Sequence, residues 1–240
     1  PLAFTIIIGT VVLQGTTSKF LARLLGVAEP DDNGFLIIGA NPVSRMLAHA
    51  LNDNDFNSLV TDDSWTNIKL ARMEGLKSYY GNAISEHASR HLDLVGLGHL
   101  LAMSPQKENN ALVGQHYRSE FGSNRIYFLS SEPDSEKQEE DQNSRTSINY
   151  GHQVLFSHDT TFSKLASLIS QGAQTRHTTI SDSFTYQDYK EQYGKRAIPL
   201  FSFNEKRQLQ FFTSEIDFIP SPGTTITALV QEQADDLKLE

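Results

Sequence analysis

The stretch FLIIGANPVSRMLAHAL, Phe35 to Leu51, constrains the fold more than any other part of the chain. Four apolar residues run into Gly39, and three residues later Pro42 opens a helical pattern. Glycine permits a tight turn, and proline suits the first helical position because its missing N–H would have had no partner there. In the helix that follows, Met46, Leu47, Ala50 and Leu51 share one face. The stretch is a strand breaking into a helix.

The alternation continues. FNSLVT is a second strand ending at Asp62-Asp63, and SWTNIKLARMEG is a helix capped by Ser64 and closed by Gly75. LKSYYG, HLLAMS and RIYFLS are the third, fourth and fifth strands, with helices through SEHASRHLDL and QKENNALVGQHYRSEFG between them. Strands alternating with helices predict a doubly wound, Rossmann-like parallel sheet over 31–130. Residues 131–149, with six acids between Glu132 and Asp141 and one lysine, predict a flexible acidic linker. From 150 to 240, helices TTFSKLASLISQG and TYQDYKEQYG lie among strands AQTRHTTI, AIPLFSFN, QLQFFTS and TTITALVQ, which predicts a smaller α+β subdomain.

Composition excludes several classes of function. A net charge of −9 over 240 residues argues against a nucleic-acid surface, and zero cysteines exclude disulfides, thiolate zinc sites and cysteine nucleophiles. The first residues stand apart. Pro1 to Ser18 carry no charge, Lys19 and Arg23 follow, and the chain lacks an initial methionine, as expected of a fragment or a processed product. As a helix, this run would span roughly 27 Å, near the hydrocarbon thickness of a bilayer. It predicts the end of a transmembrane helix at 1–18 and an exit helix at 19–30, with the rest cytoplasmic by the positive-inside rule. A buried strand at Ile6–Leu13 is the other reading.

The turn after the first strand carries the candidate chemistry. In a nucleotide-binding βαβ unit it reads G-x-G-x-x-G, where the second glycine lets the backbone approach a pyrophosphate. Here it reads Gly39-Ala40-Asn41-Pro42-Val43-Ser44. The helix N-terminus offers N–H donors to an anion. An acid at the end of the second strand belongs on the ribose, and Asp62 lies there, followed by Asp63. Asn41 leaves less room than glycine, so a mononucleotide is expected before a dinucleotide. Replacing Asp62 should leave the unliganded stability nearly unchanged.

FLIIGANPVSRMLAHAL, LVTDD, ARMEGLKSYYGNA and LLAMSPQKENNAL together resemble the RCK, or TrkA-N-type, regulatory domain of bacterial cation channels and transporters. TVVLQGTTSKFLARLLGVAEP resembles the last transmembrane helix and exit of an NhaP-type sodium/proton antiporter, and PSPGTTITALV is similar to a stretch of the accompanying TrkA-C-type subdomain. The resemblance implies a nucleotide- or ion-responsive regulatory domain without catalysis, on the cytoplasmic face of a bacterial inner membrane. Its partners would be the antiporter's transmembrane domain and a second copy of itself. It places the phosphate-facing turn on Gly39, Asn41, Pro42 and Val43 and the ribose acid on Asp62. The stretch near the base falls on Gly81-Asn82-Ala83, and the turn after the fourth strand on Ser104-Pro105. The ligand implied is AMP, ATP or NAD(H). Asn41 and Asn82 depart from the commoner Gly and Asp.

Other constellations carry less. His87 and His91 stand i, i+4 without an evident third metal ligand, and His152 and His158 flank Asp159, which reads as a helix cap. No G-x-S-x-G turn exists to expose a serine nucleophile. A stand-alone NAD(P)-dependent oxidoreductase is the alternative. It needs the same first half, but the second half is short and strand-rich for a substrate domain. Leu112, Val113, Tyr117, Phe121 and Ile126 offer apolar surface for a core and for a homodimer.

Overall fold

The computed structural model describes residues 2–24, 32–130, 153–157, 159–216 and 218–231. The acidic stretch 131–149, histidines 152 and 158, and 25–30 of the expected exit segment lie outside the described residues. Helix α1 (Leu2–Leu24) comes first. It is followed by β1 (Gly34–Ile38), α2 (Pro42–Asn52), β2 (Ser58–Asp62), α3 (Trp65–Met73), β3 (Ser78–Tyr80) and α4 (Glu86–His91). Then come β4 (Leu97–Ala102), α5 (Lys107–His116), α6 (Arg118–Phe121), β5 (Ile126–Phe128), β6 (Gln153–Val154) and α7 (Phe162–Ser170). The remainder is β7 (Gln174–Thr179), α8 (Tyr186–Tyr193), β8 (Ala197–Phe203), β9 (Leu209–Phe211) and β10 (Thr225–Val230).

Six strands form one parallel sheet in the order β3-β2-β1-β4-β5-β6, the doubly wound order expected of two mononucleotide-binding halves. Strand β1 explains why. All five of its residues are buried, as a central parallel strand covered on both faces must be. Alternation splits it between two cores. Phe35 and Ile37 join Val43, Leu47 and Leu51 of the α2 side, while Leu36 and Ile38 join Val113, Tyr117 and Ile126 of the α5 side.

The second sheet, β7-β10-β8-β9, is antiparallel. Two features depart from the expected boundary at 149/150. Strand β6 pairs in parallel with β5 and so completes the first sheet, and α7 packs against α2. The two sheets also share a core. Leu165, Leu200, Phe201, Phe211 and Leu229 belong to the same buried cluster as Phe35 and Leu47, and the Phe35 and Phe211 rings meet edge to face at 5.5 Å. A two-residue strand beyond an acidic stretch carries no periodicity of its own, and only its pairing with β5 reveals it. The α7 cap also differs: Thr161, not Asp159, accepts the Lys164 N–H.

Helix α1 confirms a helix rather than a strand at Ile6–Leu13. Leu2, Phe4, Ile7 and Leu13 are 59–77% exposed, and among the described residues no helix is long and apolar enough to cross a membrane. Of the residues considered for an interface, Val113, Tyr117, Phe121 and Ile126 are core, and Leu112 is exposed.

His99 on β4 sits beside Phe35 of β1, ring stacked on ring at 4.9 Å, and its buried Nδ1 has no hydrogen-bond partner. Burial foremost, with the Arg125 charge, lowers its pKa from 6.5 to about 4, against a backbone hydrogen bond at Gly34 and the Asp32 charge. The unfolded chain therefore takes up a proton below pH 6.5 that the fold refuses until about 4. This contribution is complete above 6.5 and is lost as pH falls towards 4, at up to about 1.4 kcal/mol per pH unit. In urea unfolding at pH 7 and pH 4.5, His99→Phe should lose less stability on acidification than the wild type.

Candidate functional site

The order of the parallel sheet reverses direction between β1 and β4, and ligands of open α/β sheets bind in the crevice beyond the strand ends at such a point. Gly39 ends β1 with φ 96°, a left-handed conformation that glycine adopts without strain. Its N–H donates to the Thr61 carbonyl at 2.7 Å, tying the turn to β2. A Cβ there would come 3.1 Å from Asn41 Nδ2 and 3.4 Å from the Met103 carbonyl.

Asn41 spans the crevice. Its Oδ1 accepts the Ser44 N–H at 3.0 Å, capping α2, while Nδ2 donates to the Met103 carbonyl beyond β4 at 2.7 Å. The side chain is buried between them. The expected row of free helix N–H groups is thereby reduced. Pro42 has none, Ser44 is capped, and Arg45 N–H donates to the Asn41 carbonyl at 3.0 Å. The Asn41 and Val43 N–H groups are the donors of this turn that these contacts leave over.

Asp62 stands at the predicted end of β2, and both oxygens of its carboxylate are engaged. Oδ2 accepts the Ala40 N–H at 2.7 Å and Asn67 Nδ2 at 3.0 Å, and Oδ1 accepts the Ser64 N–H at 2.7 Å. Ser64 occupies the N-cap of α3 as expected, yet its own side chain makes no capping bond. Asp63 is exposed.

The turn beyond β4 is built by a residue that the sequence did not single out. Buried Asn110 of α5 accepts the Ser104 N–H at 2.9 Å and donates to the Ser104 carbonyl at 2.8 Å. The Ser104 hydroxyl pairs with Gln106 Oε1 at 2.6 Å. Asn82, one strand further out, is exposed, and its Oδ1 accepts the Ile84 N–H at 3.0 Å in the turn after β3. That turn is held to β2 by the Gly81 N–H on the Asp62 carbonyl at 2.9 Å, and to the α5 side by Tyr117 Oη on the Ala83 carbonyl at 2.7 Å. Burial pushes the Tyr117 hydroxyl up to about 12.

Gly39, Asn41, Pro42, Val43, Asp62 and Ser104 thus gather at one edge of the sheet, with Asn82 beside them. Arg45 joins them unforeseen: its Nη1 donates to the Ala40 carbonyl at 2.8 Å and its Nε to Glu74 at 2.9 Å. Trp65 and Tyr80, each about half exposed, meet edge to face at 5.4 Å just beyond Asp62, with the Arg72 guanidinium 5.3 Å from the Trp65 ring centre. A lone arginine or tryptophan on a helix carries no pattern that marks it in advance.

Residues 35–146 match the TrkA-N domain family. The match runs from β1 through β5 into the acidic stretch, so the crevice residues lie within the matched region. No curated protein matches the chain. Among solved structures, the chain is similar to the NAD(P)-binding domain of an exopolyphosphatase-related protein from Archaeoglobus fulgidus. The identity is 24% over 45% of this chain and 79% of that one, with a TM-score of 0.38. It is also similar to the TrkA-N domain of the inner membrane protein ybaL from Escherichia coli (22% identity, 40% of this chain, 72% of that one, TM-score 0.35). A third similarity is to the GsuK channel bound to NAD (15% identity, 96% of this chain, 45% of that one, TM-score 0.40).

The engaged carboxylate corrects the expectation that Asp62 matters little to the fold without ligand. Asp62→Ala leaves the Ala40 and Ser64 N–H groups without their acceptor and should cost about 1–3 kcal/mol. Asn41→Ala removes the α2 cap and should cost about 1 kcal/mol or more. Urea unfolding of both variants, without nucleotide, measures these losses.

Proposed function

We propose that the chain is a regulatory domain that binds an adenine nucleotide at the Gly39 turn and passes the change to a membrane transport domain, without catalysis of its own. The observation that carries this is Asp62: a carboxylate at the end of β2, bonded to the Ala40 N–H of the phosphate-side turn, within a TrkA-N match. It lies where a ribose hydroxyl would take its place among the donors. The Val43 N–H and the positive end of α2 would face the phosphate. Asn41 crosses the crevice and narrows the approach of a phosphate chain, so a mononucleotide is proposed, AMP with its single phosphate before ATP, with NAD(H) second. In this reading Asp63, Asn82 and Ser104 would border the nucleotide.

The transport domain of this reading is that of a bacterial monovalent cation:proton antiporter. In this reading helix α1, exposed from Leu2 to Leu13, would be the end of the connecting membrane helix, and Lys19 and Arg23 favour a cytoplasmic position for the remainder. A ligand shifts such a domain only if its affinity differs between two conformations.

A thermal-shift panel of AMP, ADP, ATP, NAD and NADH tests the pocket. At about 100 times the dissociation constant, the ligand should stabilise the wild type by about 2.7 kcal/mol. Asp62→Ala should lose most of that gain, measured against its own unliganded melting temperature. No shift with any nucleotide would sink the reading. The domain is further proposed to pair as a homodimer, and light scattering on residues 30–240 should give twice the chain mass. A monomer mass independent of concentration would contradict it.

A further inference from the structure

We infer that Trp65 and Tyr80 form a stacking corner for the base of the nucleotide, and that this corner accepts purines as a class, guanine as well as adenine. The corner rests on the nucleotide reading above and widens its ligand from adenine to purine nucleotides. The two rings meet edge to face, with centroids 5.4 Å apart and planes inclined by 81°. Each is about half exposed, and neither belongs to a core cluster. A perpendicular pair leaves a recess in which a flat ring lies on one face and meets the other ring at its edge. Arg72 holds the pair in place. Its Nε donates to Ser78 Oγ of β3 at 3.2 Å, and its guanidinium lies 5.3 Å from the Trp65 ring centre. That cation–π contact ties the tryptophan of α3 to the edge strand.

Asp62 fixes where the corner stands. Tyr80 is its register partner across β2 and β3, so both side chains leave the same face of the sheet. The Asp62 carboxylate also holds the N–H of Ser64, the residue before Trp65, and the side chain of Asn67 in α3. In a nucleoside the base is carried by the ring carbon next to the one bearing the 2′-hydroxyl. A ribose on Asp62 therefore has its base within reach of Trp65 and Tyr80.

The polar groups beside the corner do not read one purine against the other. Recognition of adenine through its amino group needs an acceptor. Each carbonyl of the turn after β3 already accepts. Gly81 takes the Thr61 hydroxyl at 3.3 Å, Asn82 the Ser85 N–H at 3.1 Å, and Ala83 the Tyr117 hydroxyl at 2.7 Å. Asn82 Oδ1 is taken by the Ile84 N–H, so towards a base this side chain presents its amide donor. Adenine and guanine both offer a donor their N7 acceptor. The exposed Asp63 carboxylate can accept from the amino group of either. What remains is stacking, which favours two fused rings over one.

Trp65 is the chain's only tryptophan, so its fluorescence reads the corner directly. AMP and GMP should both quench it, with affinities within about threefold of each other, while CMP should bind about tenfold more weakly or worse. Ribose 5-phosphate, which has no base, should leave the emission unchanged. By calorimetry, Trp65→Ala and Tyr80→Ala should each weaken AMP by about tenfold, and Trp65→Phe should retain most of the affinity. Circular dichroism of the variants separates a lost stacking surface from a lost fold. A thermal shift with AMP that leaves the fluorescence unchanged would overturn the corner while the nucleotide reading stands, as would wild-type AMP affinity in Trp65→Ala. Binding of AMP without GMP would overturn the purine tolerance. No thermal shift with either nucleotide would overturn both the corner and the reading beneath it.

Discussion

Asp62 ends β2 with its carboxylate turned back on the β1–α2 turn, and most of the geometry at that edge depends on it. It receives Ala40 from the turn, Ser64 from its own loop and Asn67 from α3, joining three segments that would otherwise end separately. A carboxylate accepting backbone N–H groups makes stronger bonds than a neutral acceptor does. The turn is therefore set before any ligand arrives. Any hydroxyl that replaces one of these donors must match a charge-assisted bond, so the gain on binding is a difference between two good arrangements.

Asn41 does the same on the opposite wall. With one oxygen on Ser44 and one nitrogen on Met103, it closes the β1–β4 switch point with protein groups where a glycine would leave it open. An anion approaching α2 meets the helix dipole, but fewer free N–H donors than a glycine-rich turn would offer. The crevice is more self-contained than a glycine-rich pyrophosphate cradle.

How much of this was legible follows from range. The five buried residues of β1 and the proline after them announced a central parallel strand and its helix, because those signals are local. Asp62 was placed by spacing alone. Its occupancy was not, since Asn67 and Ala40 reach it only after folding. Asn41 was read as an obstruction to pyrophosphate. The sequence also held the better reading: asparagine before a proline at the first helical position is a favourable N-cap. β6 and the attachment of α7 stayed hidden because a two-residue strand has no period and its partner β5 lies beyond the acidic stretch. Asn110 has no sequence signature either, as its role is defined by the Ser104 backbone that it faces.

The shared core decides what a change at the turn can do. Phe35 and Gly39 are four residues apart on and just beyond one strand, so the turn and the rings packed on Phe211 belong to one stiff segment. Helix α2 is capped by Asn41 and packs with α7, with Leu47 and Leu51 in the same cluster as Leu165. Phe56, just beyond α2, meets Phe203 of β8 edge to face at 5.7 Å. Close-packed interiors resist continuous deformation. A displacement of α2 at its capped end must then move α7 and the antiparallel sheet with it, or repack those leucines. The exposed Arg207–Asp55 pair adds little to this linkage, since surface ion pairs contribute about 0–1 kcal/mol. The apolar cluster couples the crevice to the second sheet.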